Sequence, residues 1–241
     1  AALTFVPDAL RDPASAMRIN YQGTVNLAES MREYLPDARL VYVGSAEVYG
    51  APRFLPVTEE HPLCPGNPYA ISKAAADHYC AYCAHSGVLD VIRMRPFNHS
   101  GPGQSSQFVL SSFARQIAEI EAGVRSPELR VGNLEAARDF LHVDDVVSAY
   151  ALAALEGRSG HAYNICSGTA RRIQDALDTL CGMSRAPLSV VRDMERFRPV
   201  DVPEVCGDHA LLTEHTGWAP RISFPDLLAD LLEGWRGAVR G

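Results

Sequence analysis

Apolar and polar residues along this chain follow two alternating periods. Asp12-Pro13 is an N-cap followed by proline at a first helical position. From there Met17, Tyr21, Thr24, Ala28, Met31 and Leu35 recur at spacings of four and three, which predicts a helix over 13–35 that Pro36-Asp37 ends. Leu40-Val41-Tyr42-Val43 is a short β-forming run and reads as a buried parallel strand. A loop bearing Gly50, Pro52, Pro56, Pro62, Pro65 and Gly66 follows. Asn67-Pro68 then opens a second helix that runs to about His85 before Gly87, and Val88 to Met94 is the next strand, stopped by Pro96.

Past Pro96 the rhythm changes. A polar loop over 98–107 leads to a helix from about 108 to 122 and short strands near 129–131 and 140–142. A helix over 144–155 with Asp144 as its N-cap, a strand over 162–166 and a terminal amphipathic helix over 225–235 complete the pattern. Strands alternating with helices of this length predict an α/β fold with a mainly parallel sheet. There is no internal repeat and no low-complexity tract.

Composition narrows the classes. Hydrophobic residues make up 47% and charged residues 21% of 241, ordinary values for a folded chain with a core. Twenty-nine acids against 22 bases give a net charge of −7, which argues against a nucleic-acid footprint or a membrane-surface partner. The longest nearly apolar stretch, Val146 to Leu155, is too short to cross a bilayer. Six scattered cysteines do not make a disulfide scaffold. Cys80 and Cys83 form a CxxC within a helical pattern, but no second pair or histidine set completes a zinc site, so they read as small buried hydrophobes and no metal is expected. A reducing cytoplasm fits that usage.

The basic residues are lopsided: 21 are arginine and one, Lys73, is lysine. Lysine is a compact charge whose pKa can be tuned, which arginine is not. Lys73 lies four residues after Tyr69, so the two share one helical face. With nine tyrosines in 241 residues that placement is a rare coincidence. An ammonium there is expected to lower the phenol's pKa and ready it for proton transfer to or from a substrate oxygen. Ser45 follows the strand 40–43, at the end where parallel sheets bind ligands, and is positioned to donate to the same oxygen. Taken alone, a serine after a strand is a turn residue. His142-Val143-Asp144-Asp145 and the Glu59-Glu60 pair read as a helix start and a solvated loop.

Several linked segments carry a resemblance. GSAEVYG after a strand, NPYAISKAAAD, and RPFNHSGPGQ after a strand occur in that order. DPASAMRINYQGTVNLAES, GNLEAARDFLHVDDVVSAY, RFRPVDVPEVCGD and TGWAP extend the match over essentially the whole chain. The sequence resembles the extended short-chain dehydrogenase/reductases, the NAD-dependent epimerase/dehydratase family that modifies nucleotide sugars. The resemblance implies a Rossmann-like parallel sheet with a smaller C-terminal α/β substrate domain. Residues 1–100 and 139–166 would be the remainder of the dinucleotide-binding domain, and 101–138 and 167–241 the nucleotide-sugar domain.

It also implies a catalytic set of Ser45, Tyr69 and Lys73, with Tyr69 as the acid/base, Lys73 on the nicotinamide ribose and Ser45 orienting the carbonyl. NADP or NAD is the implied cofactor, met by Ala2, Leu3, Tyr69, Lys73 and His99. Asn98, Arg138 and Arg198 match positions that hold the nucleotide diphosphate, joined by Ser45 at the sugar. FNHSGPGQ, FVLSSFARQIAEIEAG and RPVDVP look most like GDP-4-keto-6-deoxy-mannose reductases, with GDP-mannose 4,6-dehydratases the near neighbours. Glu47 matches the dehydratase base; its alternative is a loop carboxylate capping an amide. Ala46 stands where many dTDP-sugar dehydratases carry an acid. A nucleotide-sugar-binding remnant without activity is a third reading.

The family's glycine-rich GxxGxxG turn has no match. Gly101/Gly103 would need glycine at Ser106, and Gly157/Gly160 at Tyr163. AALTFV aligns just after the family's fourth strand, so the sequence is expected to be a piece of a longer chain. A homodimer through the helices 13–35 and 68–86 is implied as well.

Overall fold

The computed structural model describes residues 2–194 and 202–240. In chain order the elements begin with α1 (Val6–Arg11), α2 (Pro13–Ala16), a π-helical turn (Met17–Gln22), α3 (Gly23–Tyr34) and β1 (Arg39–Val43). A 3₁₀ turn (Ala46–Tyr49), α4 (Pro68–His85), β2 (Asp90–Pro96), β3 (Asn98–Ser100) and α5 (Val109–Glu121) follow. Next come β4 (Glu128–Val131), β5 (Ala137–His142), α6 (Val143–Glu156), β6 (Ala162–Ile165) and β7 (Ala170–Arg172). The chain continues through α7 (Ile173–Gly182), β8 (Ser189–Arg192), α8 (Ala210–Thr216) and α9 (Phe224–Arg240).

The chain divides into two compact units. Unit 1 comprises Ala1–Phe97, Val146–Gly168 and Gly207–Ala219; unit 2 comprises Asn98–Asp145, Thr169–Cys206 and Pro220–Gly241. These boundaries differ from the sequence-based division. Residues 139–145 group with unit 2 because β5 pairs with β3 and β7 there. Residues 207–219 group with unit 1, where His215 of α8 and Tyr163 of β6 share a 2.7 Å hydrogen bond.

Unit 1 is built on the parallel sheet β1-β2-β6, with Leu40 beside Val91 and Val43 beside Met94. The middle strand is covered on both faces. Val91 points into a core with Leu40, Tyr42, Ala76, Cys80 and Leu89, while Ile92 lies against Gly157 beyond α6. β1 departs from its predicted full burial: Leu40 and Tyr42 are buried, but Val43 is exposed. The predicted helix over 13–35 is likewise not uniform. Its turn at 17–22 widens to a π-helix, with the Asn20 side chain buried inside. The Asn20 amide accepts from Leu3 N (2.8 Å) and donates to Leu3 O (2.9 Å) and to Ser72 Oγ (2.9 Å). Asp144, predicted as an N-cap, stands instead in the first turn of α6.

Unit 2 holds the sheet β3-β5-β7 and the parallel pair β4-β8. Leu110, Phe113, Ile117, Leu177, Leu180, Leu228 and Leu232 form its core, where the helical stripes of α5, α7 and α9 meet. β3 occupies part of the predicted loop, and α9 runs further than predicted at its C-terminal end.

Charge is also buried in unit 1. Asp77 of α4 is fully inaccessible, with Arg95 across both carboxylate oxygens (3.0 and 2.9 Å) and Arg93 on one (2.7 Å). Burial alone would raise the Asp77 pKa, yet the two guanidinium groups hold it below the ordinary value. Arg95 continues to the Tyr49 hydroxyl (2.9 Å), which donates to Asn164 Oδ1 (2.7 Å). Asp77→Asn leaves two guanidinium groups under-paired in a dry interior, and about 3–5 kcal/mol of unfolding free energy is expected to be lost. Urea denaturation reads this directly, and a loss below about 1 kcal/mol would show that the cluster behaves as a surface ion pair.

Candidate active site

The sequence of α4 explains how the site is assembled. Asn67 caps the helix by accepting from Ala70 N (2.9 Å), and Pro68 occupies the first turn. Tyr69, Lys73 and Asp77 then follow at intervals of four, on one buried face. Asp77 is bonded to β2, so the same face brings Tyr69 and Lys73 to the C-terminal end of β1. There Gly44 N donates to Met94 O at 2.7 Å. A Cβ at Gly44 would lie 2.9 Å from that carbonyl and 3.3 Å from the Tyr42 ring, so the close approach requires glycine.

Ser45 caps the 3₁₀ turn, its Oγ accepting from Glu47 N at 3.2 Å. The hydroxyl proton is left to donate. The turn-residue and donor readings of Ser45 are therefore compatible. The Lys73 ammonium donates to Val43 O at 2.6 Å and stands 5.2 Å from the centre of the Tyr42 ring.

The electrostatics correct one expectation. The Tyr69 phenol is raised above its ordinary pKa: burial dominates, a hydrogen-bonding interaction with Ser45 opposes it, and the Glu47 carboxylate adds to the rise. Lys73 is not among the causes, because its chain extends to the end of β1, where the Val43 carbonyl holds the charge. Burial lowers the Lys73 pKa to about 8, against the favourable influence of Cys80 and Asp77. Both groups are pushed toward their neutral forms.

Glu47 is exposed and accepts from the Asn67 side-chain amide, Nδ2, at 3.3 Å, the contact of a loop carboxylate on a nearby amide. Ala2 is exposed; both backbone groups of Leu3 are engaged by Asn20. In unit 2, Asn98 and His99 line a cleft of about 50 Å³ with Gln104, Phe108 and Phe140. Gln104 Nε2 donates to His99 O at 2.8 Å. Arg138 is half-buried on β5 and donates to Ala137 O at 2.8 Å. Arg198 lies outside the described residues.

Four contributors escaped the sequence reading: Asn20, Tyr42, Ser72 and Asp77. Ser72 donates to Tyr69 O at 2.7 Å and receives Asn20, tying the start of the chain to α4. Asp77 was detectable, since it falls four residues after Lys73 and two arginines two apart share one side of a strand. The residues present suit a nicotinamide nucleotide. The ammonium of Lys73 carries three donors, of which Val43 O takes one, leaving protons for vicinal ribose hydroxyls. Among the described residues no cluster of three histidine, cysteine, aspartate or glutamate side chains could hold a metal ion. Among the described residues no disulfide is formed and no helix is long and apolar enough to cross a membrane.

Comparison with known proteins identifies the family. The family described as GDP-mannose 4,6 dehydratase matches residues 1–231. The GDP-6-deoxy-D-mannose reductase of Pseudomonas aeruginosa is 40% identical over 242 aligned residues, covering all of this chain and 80% of that protein. GDP-mannose 4,6 dehydratase 2 of Arabidopsis thaliana is 27% identical, over 97% of this chain and 63% of its own length. The solved structure of RMD from Pseudomonas aeruginosa complexed with NADPH superimposes with a TM-score of 0.93 at 39% identity, covering 99% of this chain and 80% of that one. With its α/β fold of parallel strands and a family match over residues 1–231, the chain belongs to the GDP-mannose 4,6-dehydratase family of extended short-chain dehydrogenase/reductases.

Proposed function

We propose that the protein reduces the C4 ketone of a GDP-linked 4-keto-6-deoxy-hexose, with GDP-4-keto-6-deoxy-mannose as substrate and NADPH, or NADH, as reductant. The observation that carries this reading is the protonated, buried phenol of Tyr69 beside the Ser45 hydroxyl. The nicotinamide nucleotide supplies hydride to the carbonyl carbon. Ser45 donates to the carbonyl oxygen, and Tyr69 delivers the proton that the oxygen gains. A phenol held above its ordinary pKa already carries that proton at neutral pH, as a reduction needs. Lys73 holds the ribose hydroxyls, and the hydrogen-bonding interaction with Ser45 favours the phenolate as Tyr69 gives up its proton. Unit 1 is read as the dinucleotide unit and unit 2 as the sugar-nucleotide unit, through Asn98, Arg138 and Arg198, with His99 meeting the nicotinamide side of the cofactor.

Glu47 supports a second reading, 4,6-dehydration of GDP-mannose. Its carboxylate acts electrostatically on Tyr69 and is exposed for a substrate proton. A cytoplasmic homodimer is also proposed. Leu27 and Tyr34 of α3 and Tyr82 of α4 are exposed apolar side chains on the two helices expected to pair.

Incubation with the GDP-ketosugar should oxidise NADPH in one-to-one stoichiometry, and Tyr69→Phe should lower the rate by about 10²–10⁴-fold. Absence of consumption of both NADPH and NADH would defeat the reductase reading. Loss of water from GDP-mannose without net cofactor use, abolished in Glu47→Gln, would establish the second. Sedimentation at micromolar concentration should show a dimer, and a monomer would refute that part.

Lys73→Met should trade activity for stability. Below about pH 8 the ammonium is charged in both folded and unfolded chains, and its burial penalty is fully present. As pH rises from about 8 toward 10.5 the folded form sheds its proton first, so the penalty fades. The variant is therefore expected to be inactive, yet to unfold at higher urea than the wild type at pH 7. That advantage should shrink by pH 10, and an advantage constant with pH would show that Lys73 is not buried as a cation.

A further inference from the structure

Tyr42 stands out among the groups the proposed mechanism leaves unused. It is buried on β1, three residues before Ser45, and its ring lies 5.2 Å from the Lys73 ammonium. Its hydroxyl donates to Lys73 O at 3.1 Å, while its neighbour Val43 accepts from the ammonium at 2.6 Å. Two consecutive residues of the strand therefore grip both ends of one lysine. Gly44, next along, leaves room for this, because a Cβ there would press on the Tyr42 ring at 3.3 Å.

The charge on Lys73 has few other supports. Asp77, one turn along α4, is already shared between Arg93 and Arg95. Cys80 on the same helix has its thiol pushed up to about 12, chiefly by burial, and so carries no negative charge at neutral pH. The Tyr69 phenol is neutral as well, and Tyr42 itself is held protonated by burial. A neutral aromatic face still attracts a cation through its quadrupole, most strongly where water is excluded.

We propose that Tyr42 is a positioning residue for Lys73, and that its aromatic face keeps the lysine ammonium charged and aimed at the end of β1. This rests on the reading of Lys73 as the cation of the reductase site. A merely structural tyrosine would fill the same volume without affecting the lysine's titration.

In protein labelled with carbon-13 at lysine Cε, the Lys73 resonance is the one lost in Lys73→Met, and its pH titration has a midpoint expected near 8. Tyr42→Leu, which keeps apolar bulk but removes the π face, should lower the midpoint by about half to one pH unit. Tyr42→Phe keeps the face and should leave it unchanged. An unmoved or raised midpoint in Tyr42→Leu, or a fall in Tyr42→Phe as large as in Tyr42→Leu, would overturn the proposal. Should leucine at this position prevent folding, a ring-fluorinated phenylalanine has nearly the same shape and a weakened quadrupole. It must then lower the midpoint, and no change would be equally fatal. The titration needs no substrate, so a wild type without ketosugar turnover counts against the reductase reading alone. An unmoved midpoint in an active enzyme counts against Tyr42.

Discussion

Inside unit 1 the carboxylate of Asp77 carries Arg95 across both oxygens and Arg93 on one, with no access to water. A charge so placed is tolerated only when its partners are held in register, and here both arginines project from one side of β2. The helix bearing Asp77 cannot slide along the sheet without exposing the ions to an apolar interior. That restriction sets the height of Tyr69 and Lys73, two turns and one turn earlier on the same face. The network continues through Tyr49 to Asn164 and Glu59, so β6 and the loop after the 3₁₀ turn are tied to the same anchor.

Burial, rather than charge pairing, governs the chemistry this anchor makes possible. The phenol of Tyr69 is raised and the ammonium of Lys73 lowered, each chiefly by removal from water. A site arranged this way keeps its proton on the tyrosine until negative charge develops on a neighbouring oxygen. The lysine is held by a carbonyl, with an aromatic ring nearby, rather than by a carboxylate, which leaves it able to respond to a ligand's hydroxyls.

The two units obey different packing logics, and each was legible to a different degree. The helices of unit 2 present strong apolar stripes, and α5, α7 and α9 meet in one core through Leu110, Ile117, Leu177 and Leu228. Such stripes make α5 plain in the sequence and also reveal α9, though not the full reach of its last turns. β3 was hidden because three residues after a proline carry no periodicity. The π-turn at Met17–Gln22 was hidden for another reason. Its apolar spacing is helical, and only Asn20, turned inward to bind Leu3 and Ser72, widens the ladder.

Local pattern in the sequence alone determined the alternating strands and helices, the Asn67-Pro68 start of α4, and the spacing that puts Tyr69 and Lys73 on one face. These follow from backbone geometry and need no distant residue. Which way the lysine turns, and the sign of the tyrosine's pKa shift, were decided by the tertiary structure. Those quantities depend on how much water is excluded and on which carbonyl or ring comes within reach. Tyr42 and Val43 lie some thirty positions away from Lys73 in the chain, and no period along a sequence encodes contacts across that interval.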